Sequence, residues 1–195
     1  MAAMTLDDVT VVIVPGLRDH VAEHWQTLLA KHLPRSRTVE PLTHDKLSCA
    51  ARVAALEETL ATVDGPVLLA CHSAGVMITV QWALRHKRPI LGALLATPAD
   101  LDEPMPSPYP QREQLQEHGW LPIPRKPLPF PSLLAASRND PLARFERVQE
   151  FARDWGSQFL DVGEVGHLNP AAGYGEWPRA LELLRSLLPQ SAPAQ

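Results

Sequence analysis

The sequence predicts a three-layer α/β fold with a mainly parallel sheet of about six strands. Two observations carry that expectation. Short apolar runs recur at residues 9–14, 38–42, 67–71, 90–95, 132–136 and 158–162, each of a length suited to a buried strand. The segments between them place apolar residues at helical spacing, and strands alternating with helices join in parallel through helical crossovers.

The elements follow in order. The run at 9–14 ends in Val14-Pro15-Gly16-Leu17, a turn. Val53, Leu56, Leu60 and Val63 mark one face of a helix, and Gly65 is suited to the left-handed cap that ends one. After the run at 67–71, the series Val76, Met77, Ile78, Val80, Trp82, Ala83, Leu84 is apolar enough for a buried helix. Phe145, Val148, Phe151 and Trp155 mark another helix, closed by Gly156, and Pro189 ends the last one. Residues 191–195 read as a frayed tail.

A chain of 195 residues is long enough for one well-buried domain and short for two, so residues 1–195 are expected to form a single domain. The 18 basic and 22 acidic side chains leave a formal charge of -4, which offers no broad positive surface for nucleic acid or an anionic membrane. No apolar stretch reaches the roughly 20 residues that span a bilayer, and the amino terminus lacks the pattern of a secretory signal. A cytoplasmic protein is the expectation. Cys49 and Cys71 fall on a helix start and a strand end without the grouped spacing of a zinc site, and read as free thiols. The eight histidines include no HExxH, and no compact carboxylate cluster suggests a metal.

Residues 67–75 read Val-Leu-Leu-Ala-Cys-His-Ser-Ala-Gly, a strand-like run ending abruptly in a serine between small residues. The pattern resembles the nucleophile elbow GxSxG, with Cys71, Ser73 and Gly75 in the marked places. Such a turn reverses within one residue and pushes the hydroxyl out beyond the strand, so its neighbours must be small. Cysteine replaces the first glycine and is compact enough for the turn. The helix that follows would aim free N–H groups at the site, where negative charge develops.

A serine hydroxyl needs a base to take its proton and a third group to orient that base. In α/β hydrolases these follow in the order serine, acid, histidine, each after a strand at the same sheet edge. Here Ser73 follows the third run, Asp140 the fifth and His167 the sixth. Asp140, in Ser137-Arg138-Asn139-Asp140-Pro141, also reads as the cap of a helix beginning near Pro141; Asp100 and Asp102 are the runner-up acids. His72 is expected to point away from the site as a packed, hydrogen-bonded neighbour. His20, His24, His32, His44, His86 and His118 lack matching partners and read mostly as surface or structural residues. For the anion of acyl attack, the N–H groups of Ala74 and Leu17 are the candidate donors.

Residues 98–131 hold ten of the chain's 20 prolines and cannot form regular sheet, although a short helix fits 111–118. Two readings stand side by side. The segment overhangs the active edge as a partial lid, with Met105, Tyr109, Trp120 and Ile123 lining a pocket for an apolar group. Alternatively, it is a rigid surface excursion whose aromatics cover the core.

With the elbow come Val14-Pro15-Gly16, His24-Trp25-Gln26, Pro98-Ala99-Asp100, Leu128-Pro129-Phe130-Pro131-Ser132, Ser137 to Pro141, Trp155-Gly156, Gly166-His167 and Gly175-Glu176-Trp177-Pro178. Together these resemble the small serine hydrolases related to retinoblastoma-binding protein nine, a compact branch of the α/β hydrolases, over residues 11–188. The resemblance implies a serine esterase or related acyl hydrolase using Ser73, Asp140 and His167 and no cofactor. The family name suggests a pocket-protein partner bound through LxCxE, but Leu47-Ser48-Cys49-Ala50-Ala51 has alanine where glutamate is required, and that partner is not carried over.

The leading expectation is cleavage of a small-molecule carboxylic ester through an acyl-serine intermediate. Amide, thioester or aminopeptidase-type hydrolysis on the same three residues stays open, as does a noncatalytic interaction protein that keeps the fold.

Overall fold

A computed structural model describes residues 2–190; the tail expected at 191–195 lies outside the described residues. Six strands, β1 (Thr10–Val14), β2 (Ser36–Thr38), β3 (Val67–His72), β4 (Gly92–Ala96), β5 (Ser132–Ala136) and β6 (Gln158–Asp161), form one sheet in the order β2-β1-β3-β4-β5-β6. Every pairing is parallel, as the strand and helix alternation requires.

Six α-helices connect them: α1 (Trp25–His32), α2 (Cys49–Ala61), α3 (Ala74–Arg85), α4 (Arg112–Glu117), α5 (Phe145–Trp155) and α6 (Arg179–Ser186). Successive strand residues face opposite sides, and the sheet therefore separates two apolar layers. Val12, Leu69, Leu95 and Leu134 pack beneath α2, α3 and α5, while Val11, Leu68, Leu94 and Leu133 pack against α1 and α6. This gives three layers. Central strands buried on both faces explain the unbroken apolar runs by which β3, β4 and β5 are legible. Each fully buried Leu or Val there contributes about 1.5–3 kcal/mol.

β5 lies where the sequence predicts it, but β2 does not. The apolar cue suggested residues 38–42, whereas pairing with β1 runs from Ser36 to Thr38 and ends with the Val39 N–H donating to the Ile13 carbonyl. An edge strand exposed on one side needs no apolar run, and Pro41 has no N–H with which to continue the ladder. The helix expected near Pro141 begins instead at Phe145, because Pro141 to Arg144 form the loop that follows Asp140. Gly156 is the left-handed cap of α5 (φ 68°), but Gly65 lies beyond the end of α2, whose cap is Thr62. No helix among the described residues is long and apolar enough to cross a membrane.

All six strands run the same way, so the loops after β1, β3, β5 and β6 emerge at one edge of the sheet. These loops carry Leu17, Ser73, Asp140 and His167.

Candidate active site

Ser73 sits between β3 and α3 with φ 56° and ψ -121°, a conformation costing a non-glycine residue about 1–3 kcal/mol. The surroundings hold it there. Its N–H donates to the Ala96 carbonyl (3.1 Å), and its carbonyl accepts from the Val76 N–H (3.0 Å). The first turn of α3 crosses so close to the end of β1 that a side-chain carbon on Gly75 would lie 2.1 Å from the Val14 oxygen. Only glycine fits at that place. Cys71, fully buried, packs its Sγ 3.1 Å from the Thr79 hydroxyl, and burial pushes its thiol up to about 12. It stays a protonated core side chain rather than a competing nucleophile.

The His167 Nε2 is 2.8 Å from the Ser73 Oγ. Its Nδ1 is 2.9 Å and 3.0 Å from the two Asp140 carboxylate oxygens. A carboxylate only accepts, so Nδ1 carries the proton and Nε2 presents its lone pair to the serine hydroxyl. The Asp140 Oδ1 also accepts from the Leu142 N–H (2.9 Å), which fixes the carboxylate in its loop. The side chains of His167 and Asp140 are 5% and 2% exposed, so water competes little for these bonds.

The loop carrying His167 is pinned from two sides. The Gly166 N–H donates to the Asn139 Oδ1 (2.7 Å) and the Val165 N–H to the Ser137 Oγ (3.2 Å). The His167 carbonyl accepts from the His72 Nε2 (2.8 Å) and the Thr97 hydroxyl (3.4 Å). Asp100 and Asp102, the runner-up acids, face elsewhere: both bind Arg147, whose Nε is 2.8 Å from the Asp100 Oδ2.

His72 is packed and hydrogen-bonded as expected, but it borders the cavity beside His167 instead of pointing away from the site, and His24, expected as a surface or structural residue, is structural and borders the cavity too. It caps α1, its Nδ1 accepting from the Gln26 N–H (3.1 Å), and its ring lies 4.5 Å from that of His72. Burial, with the charge of His167 second, holds His24 down at about 4 and His72 well below the ordinary imidazole range. Both are therefore neutral beside His167 at neutral pH. The place of His24 at the site was signalled only by the His24-Trp25-Gln26 motif, because Gln26 ties β1 to β3 through the Val14 and Ala70 carbonyls, both at 3.0 Å, and so draws His24 in.

Ala74 opens α3, where an N–H has no acceptor within the helix and the helix dipole favours negative charge. Opposite it runs the Pro15-Gly16-Leu17 turn. A side-chain carbon on Gly16 would lie 3.4 Å from the Ser73 Cβ and 3.8 Å from the Ala74 nitrogen, so the two backbones flank the hydroxyl.

A cavity of about 140 Å³ opens over Ser73. Leu17, Ala74, His24 and Gln26 line its base; Leu101, Met105, Tyr109 and Leu115 supply an apolar wall from the proline-rich segment. Trp120 and Ile123, expected there, line the core instead. Trp120 is 1% exposed because its indole N–H finds an acceptor in the Leu47 carbonyl (2.7 Å) beneath the segment, and Ile123 follows it into the layer packed on α2, α3 and α5. Of this segment, residues between 99 and 115 border the cavity, while Trp120, Ile123 and Phe130 cover the core. Among the described residues, no group of three or more His, Cys, Asp or Glu side chains is placed to hold a metal ion.

A family model described as serine hydrolase matches residues 11–186. None of the curated proteins matches the chain. Among solved structures, one described as a YdeN-like hydrolase from Pectobacterium atrosepticum is 32% identical, with 93% of this chain and 94% of that chain covered and a TM-score of 0.78. The ydeN gene product from B. subtilis is 16% identical, with 91% and 97% covered and a TM-score of 0.68. A thermophilic esterase from Thermogutta terrifontis is 17% identical, with 91% and 88% covered and a TM-score of 0.59. The last two likenesses are of fold.

Proposed function

Because the chain belongs to the serine hydrolase family, we propose that it cleaves small carboxylic esters through an acyl-serine intermediate, with Ser73, His167 and Asp140 as the catalytic triad. The observation that carries this reading is the unbroken line of hydrogen bonds from the Asp140 carboxylate through His167 to the Ser73 hydroxyl at the base of an apolar cavity.

In this reading the His167 Nε2 takes the Ser73 proton as Oγ attacks the ester carbonyl. The carbonyl electron pair moves onto oxygen, and the N–H groups of Leu17 and Ala74 stabilise the anion. Collapse expels the alkoxide, which leaves as alcohol with the proton from Nε2. Water then attacks the acyl-serine, again giving its proton to Nε2, and collapse breaks the bond to Oγ, which takes that proton back from Nε2 as the acid departs and Ser73 is regenerated. Asp140 keeps Nδ1 protonated throughout and offsets the positive charge that His167 gains.

The cavity limits the acyl group. A space of about 140 Å³ is comparable with one that accommodates benzene, so a short acyl chain fits within it and a long one would have to extend beyond it. Residues 99–115 act as a partial lid whose Met105 and Tyr109 contact the acyl group. Hydrolysis of p-nitrophenyl esters from acetate to dodecanoate, beside matched thioesters and anilides, tests the assignment. The expected result is a kcat/KM maximum at short esters, with weaker turnover of the anilides; selective turnover of thioesters or amides would replace ester hydrolysis as the reaction.

A further inference from the structure

From the structure we infer that Arg52, on α2 and outside the lining of the cavity over Ser73, is a positioning residue for the oxyanion: it clamps the turn that presents the Leu17 N–H. The inference rests on the esterase reading above and adds a residue to it.

The turn is short and geometrically determined. The Asp19 N–H donates to the Gly16 carbonyl (3.0 Å), closing residues 16–19 into a reverse turn. A trans peptide points its N–H opposite to its C=O. Holding the Gly16 oxygen toward Asp19 therefore turns the Leu17 N–H the other way, and Gly16 itself lies beside Ser73 and Ala74. The turn alone would be a weak support. Its last residue, Asp19, adopts a left-handed φ of 56°, sparsely populated for residues other than glycine, and all four of its residues border an open cavity.

Arg52 supplies the missing rigidity. Its guanidinium is 5% exposed and spends its donors on three main-chain or carboxylate acceptors: the Lys46 carbonyl (2.8 Å), the Leu17 carbonyl (3.3 Å) and the Asp19 carboxylate. The fork thus holds the turn at both Leu17 and Asp19 while its Nε is tied to the loop before α2. A planar fork with fixed donor directions suits this task; a lysine ammonium would reach one acceptor at a time. Arg52 touches neither Ser73 nor His167, so its influence on the reaction passes through the direction of one N–H.

Arg52→Met removes the clamp, Arg52→Lys keeps the charge without the fork, and Asp19→Asn loosens only the carboxylate end. In each, the rate of Ser73 phosphonylation by a fluorophosphonate is measured beside kcat and KM on a short p-nitrophenyl ester and the thermal midpoint. The expected result is a 10- to 100-fold loss in phosphonylation rate and kcat for the Arg52 variants, a smaller loss for Asp19→Asn, and KM within about twofold of wild type, because a displaced oxyanion donor acts in the transition state. If Arg52→Met fails to fold, Asp19→Asn and Arg52→Lys decide. Folded variants that label and turn over at the wild-type rate overturn the clamp, as does a loss confined to thermal stability. A wild-type protein that the probe does not label overturns the serine hydrolase mechanism itself, and the clamp with it.

Discussion

The His72 Nε2 donates to the main-chain oxygen of His167 across 2.8 Å, so the imidazole that faces Ser73 is held through its own backbone by the residue that precedes Ser73. A carbonyl can only accept, which fixes His72 as the neutral tautomer with its proton on Nε2. Burial, the main cause of its lowered proton affinity, keeps it so.

Replacing His72 by leucine should therefore leave the Ser73 pocket intact but free the His167 loop. The expected outcome is a fall in kcat of about tenfold with KM little changed, since a small misplacement of the base acts mainly on the chemical step. Steady-state kinetics on one short ester checks it; an unchanged kcat would mean that Asn139, Ser137 and Thr97 suffice to hold the loop.

Asp140→Asn keeps the shape of the carboxylate and removes its charge. The amide no longer compels Nδ1 to carry the proton, and Nε2 loses its fixed role as acceptor. A kcat loss of about 10³- to 10⁴-fold is expected, measured on the same ester. Asp100→Asn, which alters the pair with Arg147 away from the site, should cost stability before it costs activity.

The buried imidazoles set an acid limit on the fold. His24 titrates at about 4 in the folded chain and near 6.5 when unfolded, so between these values the unfolded state binds more protons and stability falls as pH falls. The contribution is complete above pH 6.5 and is lost progressively on descending to about pH 4. At roughly 1.4 kcal/mol per pKa unit, it amounts to about 3 kcal/mol at most. His24→Asn retains a side-chain acceptor for the Gln26 N–H and removes the titration. The thermal midpoint of that variant should vary less between pH 6.5 and 4 than that of wild type; parallel curves would contradict the assignment.

Gly75→Ala tests the crossing of α3 over β1. The new carbon would meet two backbone oxygens, Val14 at 2.1 Å and Pro15 at 2.8 Å, neither of which is a flexible side-chain end. A loss of about 3 kcal/mol or more is expected, on the order of 10 °C in the thermal midpoint. Gly65→Ala provides contrast: its φ of 85° brings strain of about 1–2 kcal/mol, but nothing lies within 4 Å.

These residues also show which kinds of information a sequence carries. Strand β5 was legible because burial on both faces demands an unbroken apolar run, and the order Ser73, Asp140, His167 was legible because parallel strands deliver their following loops to one edge. Strand β2 was misplaced because an edge strand has one exposed face and no such run. For Trp120 and Ile123 the sequence leaves pocket wall and core side by side because hydrophobicity does not tell one from the other; the Leu47 carbonyl that draws in the Trp120 indole is 73 residues away in the chain. The place of His24 beside the cavity is hidden for a similar reason, since Gln26, which anchors it, gains its meaning only when β1 and β3 lie side by side. Long-range polar partners leave no periodic trace.

The central claim is that Ser73 is the nucleophile activated by His167. Intact-mass and peptide analysis after exposure to a fluorophosphonate probe tests it most directly, on wild type, Ser73→Ala and His167→Ala. The expected result is one phosphonyl adduct on the peptide carrying Ser73 in wild type, none in Ser73→Ala, and labelling slowed by several orders of magnitude in His167→Ala. An adduct on another residue, or equal labelling in Ser73→Ala, would contradict it.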